Sequence, residues 1–193
     1  MINYIWSIFI VIGVFYSILK GDTNLTNNLL TSGNKAIDMI IGIIPLMCLW
    51  MGIMELASKS GLLDIMAKKL SRVVRIIFPD IPKDDKVISY ISSNIVMNMM
   101  GLGNAATPFG LKAMEELGRL NNNSKVASRS MITFLVINTA SVTILPSTVI
   151  SLRMVYKSVN PSSIILPCII ATFLSTLIAL LLDRLFYYIW GRV

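Results

Sequence analysis

The chain has 193 residues, 55% of them apolar and 14% charged, against roughly 45–50% and 25% in an average soluble domain. A mean hydropathy of +0.74 argues against a soluble enzyme, a disordered chain or a disulfide scaffold, and for a membrane protein. There is no histidine, which excludes imidazole metal sites, Ser-His and Cys-His nucleophile pairs and histidine proton relays. The net charge of +7 fits cytoplasmic loops and contacts with anionic membrane lipids, and no nucleic-acid partner is expected. Cys48 and Cys168 lie far apart in apolar runs and read as small buried hydrophobes.

Residues 1–19 carry no charged side chain and would form a helix about 28 Å long, close to the hydrocarbon thickness of a bilayer. Without a basic flank or a small-residue cleavage site, it reads as a retained first span rather than a removed signal peptide. Lys20, Gly21 and Asp22 end it. Residues 23–35, rich in Asn, Thr and Gly, read as a polar loop or short surface helix. A second span is expected over residues 36–57, with Pro45 removing a backbone donor inside it and Glu55 close enough to its end to reach the interface. These two helices make up an N-terminal region, residues 1–60.

Residues 61–85 change character. Leu62, Ile65, Met66, Leu70, Val73 and Ile77 recur at helical spacing opposite Asp64, Lys68, Ser71, Arg72 and Arg75. This predicts a basic amphipathic helix, either along the membrane surface or packed on the bundle, followed by a turn from Pro79 to Pro82. Lys59, Lys68, Lys69, Arg72, Arg75, Lys83 and Lys86, against Lys20 and Lys35 in the first loop, place this region and the N-terminus in the cytoplasm.

Residues 86–157 hold two interrupted segments. Asn94 and Asn98 are four apart and share one helix face. The run then breaks: Gly101 and Gly103 suit a left-handed conformation, Thr107 an N-cap and Pro108 a first helical turn. Lys86 before the break and Glu115 and Glu116 after it put both ends in water, so a re-entrant hairpin is expected. The second break, Asn138, Thr139, Ala140, Ser141, Val142 and Thr143 with Pro146 beyond, echoes the first as a degenerate internal repeat would. This segment can cross, which puts Arg153 and Lys157 outside and both termini in the cytoplasm, or re-enter, which puts the C-terminus outside; the charge distribution as a whole favours crossing. A last span falls within residues 158–193, with Asp183, Arg184 and Arg192 at the interface and Tyr187, Tyr188 and Trp190 in an aromatic belt. The expected fold is an all-α polytopic membrane protein with about four crossings, a basic amphipathic surface helix and one or two interrupted or re-entrant hairpins.

Interrupted helices offer free backbone groups to ions and solutes. The candidate substrate-binding residues are therefore Asn94, Asn98, Gly103, Asn104, Thr107 and Pro108 from the first segment and Asn138, Thr139, Ser141 and Thr143 from the second. Helix N-termini near Pro108 and Pro146 would suit a small anion. Helix capping and interhelical hydrogen bonds account for the same residue types. No phosphate-binding loop or nucleophile motif is present. Asp84 with Asp85, and Glu115 with Glu116, are adjacent pairs that point in different directions, so no catalytic residue, metal or cofactor is expected.

The stretches NIVMNMMGLGNAATPFGLKAMEELGRLN, residues 94–121, and INTASVTILPSTVISLR, residues 137–153, closely resemble the spore maturation protein A family of endospore-forming bacteria, and the resemblance extends over essentially the whole chain. That family belongs to a wider group with a nucleoside-recognition or gate domain, shared with concentrative nucleoside transporters. The resemblance would make Gly103, Asn104, Ala105, Ala106, Thr107 and Pro108 the hairpin tip. A small apolar residue stands where the transporters carry an acidic one, so the carboxylate suited to ribose hydroxyls is absent. The resemblance implies a role in spore core dehydration, in a forespore or mother-cell membrane, with a spore maturation protein B-like membrane protein as partner. Two readings follow: movement of a small solute or anion by a homo- or hetero-oligomer, or a non-transporting assembly or regulatory role affecting spore cortex maturation.

Overall fold

The computed structural model describes residues 2–21, 24–82 and 86–190. Asp22, Lys83, the Asp84 and Asp85 pair, the side chain of Trp190, and Arg192 lie outside the described residues. Every regular element among the described residues is helical, and three stretches are long and apolar enough to cross a membrane: Ile2–Leu19, Leu25–Lys59 and Pro161–Ile189. The all-α membrane architecture read from the sequence is the one the chain adopts.

The chain divides into two compact units, Met1–Pro45 and Leu46–Val193. The first contains α1 (Ile2–Leu19) and the beginning of α2 (Leu25–Lys59). No residue of α1 is buried, so its apolar surface faces outward on every side, as suits a helix surrounded by lipid. Residues 25–35 form the polar first turns of α2 rather than a separate loop. At 35 residues the helix is about 52 Å long, more than the hydrocarbon thickness requires.

In the second unit, Gly61 at φ +77° turns the chain from α2 into α3 (Leu62–Ile77). Of the two placements open to this amphipathic helix, packing on the bundle is the one found. It lies antiparallel along α4 (Val87–Met99), with Leu63 and Ala67 against Val96 and Met97, and Val74 and Phe78 against Val87, Ile88 and Ile91. The packed edge is rotated from the stripe expected from hydrophobicity alone. Small Ala67 lets the helices approach closely, while Ile65, Val73 and Ile76 remain exposed. The charged side chains of Lys68, Lys69, Arg72 and Arg75 are exposed.

The first interrupted segment is a hairpin of α4 and α5 (Gly103–Leu120) packed side by side. Ala106, Gly110 and Ala113 present a small-residue edge to α4; a Cβ on Gly110 would lie 2.8 Å from Nδ2 of Asn94. Such edges let membrane helices approach without relying on the hydrophobic effect.

The second segment has a different form. α6 (Arg129–Thr139) is N-capped by Ser128, whose Oγ accepts from the Met131 amide at 3.3 Å. α7 (Ser147–Val155) does not fold back along α6. Instead the final helix, a 3-10 turn at Pro161–Ile164 followed by α8 (Ile165–Trp190), runs antiparallel beside the whole segment. The pairs Arg153 with Ser163, Thr143 with Thr172, Ala140 with Thr176 and Thr133 with Asp183 fix this register. The two breaks are therefore not copies of one motif. Asn104 to Pro108 lie in the opening turns of a helix after a break, whereas Asn138 and Thr139 close a helix before one.

Neither cysteine is buried as expected. Cys48 is exposed, Cys168 is half-buried, and both are free thiols. Cys48 sits on α2 among exposed apolar neighbours such as Leu49 and Met51, a surface that hydrocarbon can cover.

Candidate functional site

The site grows from the geometry of the first break. Gly101 takes φ +75°, closing α4, as its lack of a Cβ permits. A Cβ there would fall 2.6 Å from the Leu145 carbonyl oxygen and 3.2 Å from the Ser147 hydroxyl. The second break is thus pressed directly onto the first. The carbonyl of Met99 accepts from the amides of Ile144 at 2.8 Å and Leu145 at 3.2 Å, supplying partners for backbone that leaves regular helix inside an apolar environment.

An asparagine relay joins the same elements. Asn94 is buried and donates to the Ala106 carbonyl at 2.9 Å. Asn98 donates to the side-chain oxygens of Asn138 at 3.1 Å and Asn94 at 3.4 Å. Asn138 in turn donates to the Phe134 carbonyl at 3.0 Å. Among the described residues no group donates to the side-chain oxygen of Asn98.

Two cavities flank the contact. One, of about 410 Å³, has apolar walls from α3, α4, α6 and α8, including Val73, Ile95, Ile137, Phe173 and Leu177, with Asn98, Asn138, Ser141 and Thr176 as its polar groups. No charged side chain lines it. The other, of about 500 Å³, lies beside the first break and is bordered by Met47, Met51, Met54, Met97, Asn104 and Glu55. Glu55 pairs with Lys59 at 3.3 Å. The Glu55 carboxylate, brought to that lining from α2, opposes an anion.

The predicted residues separate accordingly. Asn98, Asn138 and Ser141 meet at the first cavity, and Gly103 and Asn104 border the second. Asn94 is occupied between α4 and α5. Thr139 is exposed and bonds the Leu135 carbonyl at 2.9 Å. Thr107 is not a cap, because α5 begins at Gly103; its hydroxyl donates to the Gly103 carbonyl at 3.1 Å inside the helix. Pro108 likewise sits within α5 rather than in its first turn. Lacking an N–H, it leaves the carbonyl of Asn104 without the usual helical donor. The N-terminus expected near Pro108 is thus displaced to Gly103, while α7 does begin just after Pro146.

Thr143 uses its backbone rather than its hydroxyl, donating its amide to Oγ1 of Thr172 at 3.1 Å. Thr176 donates to the Ala140 carbonyl. Thr172 and Thr176 are the site residues that sequence reasoning missed. Their signal was two threonines four apart in a strongly apolar stretch of the helix, the spacing that brings both to one face.

The Gate family, described as nucleoside recognition, matches residues 40–156, a range that covers both breaks but leaves out α8 with its two threonines. Over 189 residues, 97% of this chain and 96% of the relative, the sequence is 44% identical to spore maturation protein A of Bacillus subtilis (strain 168). No solved structure matches the chain. The chain is a sporulation membrane protein, and it belongs to the spore maturation protein A family within the nucleoside-recognition Gate group.

Proposed function

We propose that the protein binds a small uncharged solute in the cavity at Asn98 and Asn138 and moves it across a forespore or mother-cell membrane during spore core dehydration. The observation that carries this reading is the lining of the cavity, with apolar walls, converging amide and hydroxyl groups and no charged side chain. A volume of about 410 Å³ lies in the range of small-molecule sites. A charged solute would lose its hydration there without a counterion, whereas a neutral polar one exchanges water for amide and hydroxyl partners. Small anions are disfavoured at both cavities, since one lacks cations and the other contains Glu55.

Three long apolar helices and two broken segments give one chain too few walls to enclose an aqueous path. The reading therefore includes a second copy or a related spore maturation protein B-like membrane protein. The test is a thermal-shift screen of the purified chain against neutral and charged solutes of graded size. A neutral solute should raise the unfolding temperature of the wild type but not of folded Asn98→Leu or Asn138→Leu. Stabilisation that persists in both variants would remove the cavity from the account.

A further inference from the structure

We propose that the groove between α3 and α4 binds phosphate, and that its occupant is the headgroup phosphodiester of an anionic phospholipid. The groove encloses about 430 Å³ and takes its polar lining from Asp64, Lys68, Ser71 and Arg75 on α3 and Ser89 and Ser93 on α4. Lys68 and Arg75 are two helical turns apart and Ser89 and Ser93 one turn apart, so each pair presents itself along one face. Among the described residues neither Lys68 nor Arg75 forms an ion pair, and neither the Ser89 nor the Ser93 hydroxyl has a hydrogen-bond partner. Ser71 already donates to the Lys68 carbonyl at 2.7 Å. Four donor groups are thus available to an acceptor-only ligand.

The charge of the groove selects the kind of phosphate. Two cations less the carboxylate of Asp64 leave one positive charge, which matches a singly charged phosphodiester better than a doubly charged phosphomonoester. On the same helix Ile65, one turn from Lys68, and Ile76 are exposed, apolar surface on which acyl chains can lie while the headgroup enters the groove. Basic pockets between membrane helices hold lipid headgroups in the same way.

The test uses the full chain in detergent, with phosphatidylglycerol and phosphatidylcholine binding read by native mass spectrometry. The wild type should retain phosphatidylglycerol preferentially. Replacing Lys68 and Arg75 together by Ala should weaken it about tenfold or more, on the scale of about fivefold per basic residue at a membrane surface. Lys69→Ala with Arg72→Ala removes the same charge from the same helix outside the groove, and should weaken binding less than about threefold. Ser89→Ala with Ser93→Ala changes no charge and should weaken binding about threefold through lost hydrogen bonds; it keeps the test informative if the charge variants fail to fold. Equal losses in the two charge variants, no loss in the serine pair, or equal retention of both lipids would overturn the proposal. Glycerophosphoglycerol, which carries the same singly charged phosphodiester without acyl chains, should fail to displace the lipid. Displacement at millimolar concentration would overturn the lipid as occupant in favour of a soluble phosphate.

Discussion

Asn98 on α4 donates its side-chain amide to the side-chain oxygen of Asn138 on α6 at 3.1 Å, tying together two interrupted segments 40 residues apart in sequence. The bond lies next to the contact between the breaks, where Met99 accepts from Ile144 and Leu145. It also borders the uncharged cavity. One amide pair therefore serves both the join between the segments and the polar part of the candidate site.

A double-mutant cycle on Asn98→Ala and Asn138→Ala should give a coupling energy of about 0.6–1.7 kcal/mol, the range found for interhelical hydrogen bonds in a membrane protein. Chemical unfolding in detergent measures it. Strict additivity of the two changes would show that the pair does not interact in the folded protein.

Gly101→Ala should destabilise the chain by more than about 2 kcal/mol, through the left-handed backbone and the clash with the Leu145 carbonyl. Gly103→Ala meets nothing within 4 Å and should change stability by about 1 kcal/mol or less. Unfolding of the two variants side by side checks the contrast, which two equally tolerated glycines would contradict.

Thr172→Val removes the acceptor for the Thr143 amide and should cost about 1–3 kcal/mol. Thr172→Ser should recover most of it. Hydrogen exchange read at Thr143 should accelerate in the valine variant and return towards the wild-type rate in the serine variant.

The C-terminal part of α8 is held by three polar contacts: Asp183 accepts from Thr133 at 2.7 Å, Arg184 donates to the Ile77 carbonyl at the end of α3, and Arg129 lies 3.9 Å over the Tyr187 ring. Thr133 is buried, so Thr133→Val should leave the Asp183 carboxylate short of a donor and cost about 1–3 kcal/mol. Thermal unfolding should show the loss, with Thr133→Ser close to wild type.

Much of this architecture was legible because its signals are local. Long uncharged runs predict α1, the apolar part of α2 and α8; a glycine at the end of an apolar helix predicts the turn at Gly101; a spacing of four predicts the shared face of Asn94 and Asn98. The misplaced features depend on partners distant in sequence. Thr107 and Pro108 have the residue types of a helix start, yet α5 begins at Gly103 because its first turn packs against α4 through Ala106 and the Asn94 amide. Thr172 and Thr176 resemble ordinary threonines of a membrane helix until the second break is laid beside them. The face that α3 buries is likewise set by how closely Ala67 can approach α4, which periodicity does not record.

The most direct test of solute movement is flux in liposomes that contain this chain with the proposed spore maturation protein B-like partner, using the neutral solute found to stabilise it. Wild type should pass the solute, while Asn98→Leu and Asn138→Leu, assembled to the same extent, should lose at least about tenfold of the rate, as expected when a buried polar group of a binding site is left unpaired. Intact assembly with no flux for any solute in the panel, or flux unchanged by both substitutions, would contradict the account and favour a protein that acts by assembly alone.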